Sequence, residues 1–383
     1  LIASSAPPLA RETFAVEPGL VYLNHAAVGV LPVRARDAVV AAVNAHAARG
    51  VVGMWPVERL VPQARERLGS LIGARGEDIA FLRSTSDGAN TIARGLDWQP
   101  GDEIILSDDE FGANAYPWLA LRECGVNVRF VETARQRLEP AVLASVMTAR
   151  TKLVAVSWVA FADGYRHDLA GLSAVTHAGG ALFCVDAIQA LGAMTLDVRA
   201  LGIDALYAGG AKWLMALQGV AFLYVSPELR DRLKVRWHGW KAVEDMWDFL
   251  NYDQPLAASS ARYEAGTQNF LGVLSLEHSV GVLQEAGLEA ISDHVIALAD
   301  RLDARLRSAG AGVALERRPE SSAGIVTFTM PGCDPLTLGA RLGEQRFVTT
   351  YRPNGIRVSP HGHNTAAEID AFVEAVAALS KRA

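Results

Sequence analysis

Cysteine is scarce in this chain: Cys124, Cys184 and Cys333 are the only three among 383 residues. Thiols so few and so scattered exclude a disulfide framework and a cysteine-based zinc site, and they suit a reducing cytoplasm. An excess of positive charge is lacking too. The formal net charge is −6, and no basic stripe marks a nucleic-acid footprint, so no nucleic-acid partner is expected. No apolar run reaches the roughly 20 residues that cross a bilayer, and the opening LIASSAPPLARE lacks the charged-then-apolar order of a signal peptide, so no membrane is expected either. Also missing are G-x-G-x-x-G after an early strand, a Walker-type run, G-x-S-x-G, H-E-x-x-H and C-x-x-C. Their absence removes the simplest routes to dinucleotide, triphosphate, acyl-transfer, zinc-protease and thiol-redox chemistry. His361 and His363 have no third ligand in view, so a loop pair is the better account and no metal is expected.

What is present is the composition of an enzyme with a large core: half the residues are hydrophobic and a fifth are charged. One run, ALFCVDAIQALGAMTLDVRALGIDALYAGGAKW (Ala181 to Trp213), organises the rest. Its first apolar stretch has the pattern of a buried parallel strand, with Asp186 at the carboxyl end and Gln189 three residues on. A second strand, IDALYA, leads through Gly209, Gly210 and Ala211 to Lys212. Ligands of open parallel sheets lie beyond the carboxyl ends of the strands, so this acid and this lysine can face one ligand. A fixed acid and a desolvated lysine suit pyridoxal phosphate: the lysine forms the Schiff base and the acid keeps the pyridinium nitrogen protonated.

Strands expected at Ile79, Ile104, Val128, Leu153, Leu182 and Ala205 alternate with helices, which argues for an α/β fold with a mainly parallel sheet. Residues 1–20 form an arm, 21–265 a large domain and 266–383 a smaller C-terminal α/β domain, with 21–50 able to pack on the latter. PVRARDAVVAAVNAHAARG is an amphipathic helix closed by Gly50. DIAFLR runs as a strand into STSDGANTIARGL, where Thr85 and Ser86 at a helix start can hold a phosphate; plain capping by Ser84 or Ser86 is the competing reading. Asp108, Asp109 and Glu110 are expected on a solvated loop. VRWHGWKAVEDMWDFLNYDQPL is too apolar to sit in water and is expected over a cleft or a subunit contact.

Taken in order, YLNHAAVGVLP, STSDGAN, VDAIQALG followed by AKWL, EAGTQN and GIRVSPHGHNT resemble the class V aminotransferase family of pyridoxal-phosphate enzymes. The likeness is to its cysteine desulfurase, selenocysteine lyase and isopenicillin N epimerase branch and covers nearly the whole chain. It implies the fold type I architecture of that family. Lys212 would bind the cofactor and move protons, Asp186 would pair with the ring nitrogen, and Gln189 would reach the phenolic oxygen. Thr85 and Ser86 would hold the phosphate, Phe111 would stack on the ring where relatives often have histidine, and Arg357 would grip the substrate carboxylate. Thr267 resembles the threonine that reaches the phosphate from a neighbouring subunit, which implies a homodimer with shared sites. Asn24, His25, Arg352 and Trp240 (the last from the partner) would line the amino-acid pocket, with Tyr351 beside Arg352. Departures from the family pattern are Ala211 and Gly209 before the lysine, Gly362 and His363 before Asn364, and Val159–Phe161 without asparagine.

A desulfurase of this kind takes sulfur on a mobile cysteine shortly before the carboxylate-binding arginine. Here the segment EQRFVTTYRPNGIRVSP (344–360) has none, so a persulfide-forming desulfurase is not expected. Transamination is the default, with epimerisation or C–S elimination as alternatives and a non-catalytic cofactor-binding protein as the reading from another class. Epimerisation needs a second base, for which His25, His361 and His363 are the candidates.

Overall fold

The structure is a computed structural model that describes residues 6–132 and 137–381; the first five residues of the expected arm lie outside these. The arm carries one short helical turn, Arg11–Thr13. It is followed by β1 (Val21–Tyr22), α1 (Val33–Arg49) and α2 (Val51–Leu71). Gly50, at φ 55°, ends α1 and starts α2, and its N–H closes on the His46 carbonyl. Only glycine adopts that left-handed backbone without strain.

The sheet-forming region runs β2 (Ile79–Leu82), α3 (Thr85–Gly95), β3 (Glu103–Ser107), α4 (Tyr116–Leu119) and β4 (Asn127–Val131). It continues with α5 (Pro140–Val146), β5 (Thr151–Ser157), α6 (Leu169–Ala178), β6 (Leu182–Asp186), β7 (Ala205–Gly209) and β8 (Ala221–Val225). These strands form one seven-stranded sheet in the order β2-β8-β7-β6-β5-β3-β4. β4, β3, β5, β6 and β7 are mutually parallel, whereas β8 runs antiparallel between β7 and β2. The fold is therefore α/β with a mainly parallel sheet, as expected. Both faces are covered, which explains the continuous apolar runs. Phe183, Val185 and Phe222 face α2 and its neighbours, while Cys184, Tyr207 and Leu223 face α3 and Trp118.

After α7 (Pro227–Arg230) and the aromatic loop come two long helices, α8 (Phe270–Ala286) and α9 (Leu288–Ser308). The small domain adds β9 (Gly312–Val313), β10 (Val326–Thr329), α10 (Pro335–Glu344), β11 (Phe347–Val348), β12 (Thr350–Arg352), β13 (Gly355–Val358) and α11 (Ala366–Ser380). Its four-stranded sheet has the order β12-β13-β10-β9, and β1 pairs in parallel with β11. α8 packs on α1 and α2 and contributes Val273, Leu276, Val280 and Leu283 to the large core. α9 spans the change: Ile291 and Val295 belong to the large core, Leu298, Leu302 and Leu306 to the small one.

Candidate active site

Parallel registration sets the site. Ser157, Asp186 and Tyr207 are neighbours across β5, β6 and β7, so the strands end together at one edge. Lys212 sits in the connection from β7 to the antiparallel β8, closed at its base by Gly210 N–H to the Val220 carbonyl at 2.9 Å. It thus lies over the same edge as Asp186.

Asp186 is 2 % exposed. Its Oδ1 accepts the Ile188 N–H at 2.9 Å, and its buried Oδ2 has no partner. Burial pushes this carboxyl up to about 6, opposed by the Ile188 hydrogen bond and the charge of Lys212. Lys212 is driven down to about 8 by burial, with Asp186 opposing and Arg357 reinforcing the shift. An acceptor left empty in a buried place is costly, and a cationic ring N–H would satisfy it. That empty acceptor, facing a desolvated amine, fits pyridoxal phosphate.

The lysine loop is held by consecutive carbonyls. Ala211 O accepts the Gly29 N–H at 2.7 Å, Lys212 O the Met215 N–H at 3.0 Å, and Met215 O the Ser279 hydroxyl of α8 at 2.8 Å. Trp213 O accepts His361 Nε2 at 3.0 Å, while His361 Nδ1 accepts the Gly362 N–H, so the ring is the neutral Nε2–H tautomer. A Cβ on Gly29 would lie 2.1 Å from the Lys212 oxygen. Only glycine lets the N-terminal turn approach so closely.

Phe111 is 46 % exposed, with Lys212 Nζ 5.5 Å from its ring centroid and Phe161 edge-on at 5.3 Å. Ser84 is the N-cap of α3, its hydroxyl accepting the Asp87 N–H at 3.2 Å. Thr85 is buried in the first turn and Ser86 lines an open depression with Asn90 and Phe111. A Cβ on Gly209 would be 3.0 Å from Ile188 Cδ1 and 3.4 Å from Thr85 Oγ1, which puts the end of β7 beside the start of α3. Gln189 donates from Nε2 to the Ala26 carbonyl and accepts the Trp213 indole N–H. It therefore pins the N-terminal turn to the lysine loop, leaving one amide hydrogen for a ligand.

Arg357, on β13, donates from Nη1 to the Phe161 carbonyl at 2.8 Å, and its buried Nε has no partner. Burial, reinforced by the charge of Arg352, lowers it to about 10. Asn24 accepts the Thr350 hydroxyl at 2.8 Å. Thr267 lines a cavity of about 310 Å³ with Arg83, Asn90, Trp237 and Gln268, and Lys212 is not among its walls. Trp240 is exposed, 6.1 Å from Trp247 between ring centroids, and lies close to Gly266 beside Thr267.

His25, in the N-terminal turn, is fully buried. Its Nδ1 lies 3.2 Å from the Ser359 carbonyl, and its ring packs 4.9 Å from His361 and 5.1 Å from His363. Burial keeps all three imidazoles neutral, His25 well below its usual value, His361 down to about 4 and His363 to about 3. Glu110 is likewise not on a solvated face. β3 stops at Ser107, so the Ser157 N–H at the end of β5 has no strand partner. Glu110 takes that N–H and the Ser157 hydroxyl, both at 2.5 Å. Burial, reinforced by the charge of Asp186, raises its carboxyl from 4.5 to about 8. An acid among acids carried no signal for this role. Gly29 was also missed, and its only signal was a glycine in a turn.

The cysteines stand apart from this edge. Cys124 is exposed just before β4, at the amino end of the strands; Cys184 is buried within β6; Cys333 Sγ lies 3.9 Å from the Ser380 carbonyl. Among the described residues no group of three His, Cys, Asp or Glu side chains could hold a metal.

A two-faced α/β sheet with a lysine and an empty buried carboxylate over its carboxyl edge defines a fold type I pyridoxal-phosphate enzyme. Residues 21–372 match the family model Aminotransferase class-V, and the chain belongs to that family, whose cofactor is pyridoxal phosphate. A probable cysteine desulfurase of Methanothermobacter thermautotrophicus is 29% identical over 378 residues, 92% of this chain and 93% of that protein. An uncharacterized aminotransferase of Bacillus subtilis is 29% identical over 316 residues, 82% of each. Among solved structures, the apo cysteine desulfurase from Thermococcus onnurineus superposes with a TM-score of 0.88 at 25% identity, covering 100% of both chains. A cystine C–S lyase in complex with cysteine persulfide superposes at 0.86 with 23% identity over 94% of this chain and 98% of that one, which speaks to the fold.

Proposed function

We propose that this chain is a class V aminotransferase-type enzyme that transforms an amino acid by proton transfer at Lys212, without passing sulfur to a cysteine of its own. The observation that carries the reading is the unpartnered, buried Asp186 Oδ2 at the strand edge shared with Lys212. When bound, pyridoxal phosphate supplies an electron sink for the pair left at the substrate's α carbon. Asp186 would hold the ring N–H on Oδ2 while Ile188 keeps Oδ1 in place. The α3 N-terminus with Thr85 and Ser86 would take the phosphate, where free N–H groups and the helix dipole favour an anion. Phe111 would pack on the ring, and the second amide hydrogen of Gln189 would meet the phenolic oxygen.

Lys212, brought down to about 8, can take a proton from the α carbon near neutral pH and return it elsewhere. Arg357 would fix the α-carboxylate by a two-pronged contact. Thr267 lines a cavity whose walls do not include Lys212 within one chain, which supports a homodimer in which Thr267 of the partner subunit completes the phosphate site. The enclosure of His25, His361 and His363 weighs against a second base and hence against epimerisation. The names of the relatives favour a sulfur-bearing amino acid, and with no thiol at the site that chemistry would be C–S elimination; this is the second reading. Three free cysteines, one of them exposed, support a reducing compartment, and we assign the cytoplasm. Among the described residues no helix is long and apolar enough to cross a membrane.

The test is a loaded protein challenged with a panel of amino acids. Borohydride should fix the cofactor to Lys212, and keto-acid release should exceed sulfide release; Cα deuterium exchange without keto-acid release would point to epimerisation instead. A protein that gains no visible absorbance with pyridoxal phosphate would sink the reading. Sulfide from cysteine, or cysteine persulfide from cystine, without keto-acid formation from other amino acids would replace it with the elimination reading.

A further inference from the structure

The hairpin of β12 and β13 has two faces. Ile356 is buried in the small-domain core, and Tyr351, its register partner, lies where a Cβ on Gly339 of α10 would be 2.2 Å from its ring. Strand alternation then places Thr350, Arg352 and Arg357 on the opposite face. Every side-chain bond recorded from that face leads toward the large-domain side. Thr350 reaches Asn24, Arg357 reaches the Phe161 carbonyl, and Thr327, the neighbour of Arg357 on β10, reaches the Ala162 carbonyl. Phe161 in turn lies edge-on to Phe111, over which Lys212 Nζ sits.

Arg352 therefore shares the face that looks into the lysine cleft. Its charge acts on Arg357, and that of Arg357 acts on Lys212. Among the described residues neither arginine has a carboxylate partner, although other arginines of the small domain do: Arg301 with Asp370, Arg317 with Asp300, Arg346 with Glu17. Two guanidiniums on one face, with nothing between them to offset their repulsion, make a site for an anion with two heads. Diagonal neighbours on a sheet face sit about 7–8 Å apart, within reach of both arginines for one short diacid.

We propose that Arg352 binds the side-chain carboxylate of the substrate, so that the substrate class of this site is a dicarboxylic amino acid. The inference rests on the reading of Lys212 and Arg357 given above. Arg357 takes the α-carboxylate and Arg352 the distal one. Arg352 is exposed, so solvent weakens its grip and its effect falls on selectivity rather than on chemistry.

The test compares glutamate with glutamine, and aspartate with asparagine, on the holoenzyme. Arg352→Ala should lower kcat/KM for the two acids about tenfold to a hundredfold and leave the amides nearly unchanged. Arg352→Lys should recover part of the loss. Equal losses on acids and amides, no loss on either, or a wild-type preference for the amides would each overturn the proposal. Calorimetry with glutarate gives a readout that needs no turnover: binding should weaken in Arg352→Ala and in Arg357→Ala alike. If the wild-type protein shows no spectral response to any amino acid, the reading of the site fails, while the glutarate titration still decides whether Arg352 joins Arg357 in holding a diacid.

Discussion

Gly29→Ala tests how the lysine loop is positioned. The new Cβ would stand 2.1 Å from the Lys212 carbonyl oxygen, 3.2 Å from its carbon and 3.1 Å from Met215 Cγ. Ordinary contact begins near 3.4 Å, so the N-terminal turn has to retreat by more than 1 Å. That retreat breaks the 2.7 Å bond from Gly29 N–H to the Ala211 carbonyl. Leaving that carbonyl without its partner costs about 1–3 kcal/mol, and forcing extra volume into a packed contact costs about 1–3 more. The sum is a large share of a net stability of about 5–15 kcal/mol. Urea unfolding of the cofactor-free protein should show a loss of about 2–6 kcal/mol, and pyridoxal phosphate should bind more weakly because the Lys212 backbone shifts. Gly343→Ala in α10 is the control. No atom lies within 4 Å of its Cβ, so it should be neutral or stabilise by up to about 1 kcal/mol. An unfolding free energy for Gly29→Ala within about 0.5 kcal/mol of the parent would refute the reasoning.

Two further outcomes follow from the site. Glu110 binds its proton more tightly folded than unfolded, so its contribution is complete below about pH 4 and is lost as pH rises through about 8. Glu110→Gln should remove that part of the fall in apo-protein stability, read from urea midpoints against pH, and an unchanged slope would contradict a buried, proton-holding Glu110. The combined variant Cys124→Ser, Cys184→Ala, Cys333→Ser should keep its turnover of amino acids; loss of sulfide or keto-acid release in the folded variant would restore a persulfide-forming cysteine.

The placement of Asp186 and Lys212 at one strand edge was legible because β6 and β7 are short apolar runs broken by an acid and by two glycines, signals that are local. The capped start of α3 and the Gly50 break were legible for the same reason. What stayed hidden is set by distant segments. GVAFLYVS reads as a strand but not as an antiparallel one, since pairing direction is decided by the loop that carries Lys212. His25 and Glu110 both lie in turns whose composition suits water. They are enclosed because the small domain closes over the first and the early end of β3 draws in the second. α8 announced a helix without naming its partners, α1 and α2, which only the folded chain brings to it.

Three of the hydrogen bonds that carbonyls of the lysine loop accept come from separate parts of the chain: the N-terminal turn at Ala211, the small domain at Trp213 and α8 at Met215. A point fixed from three directions has little freedom to translate. The backbone that carries Lys212 is therefore tied at once to the N-terminal turn, the small domain and α8, so a disturbance in any of the three reaches the amine.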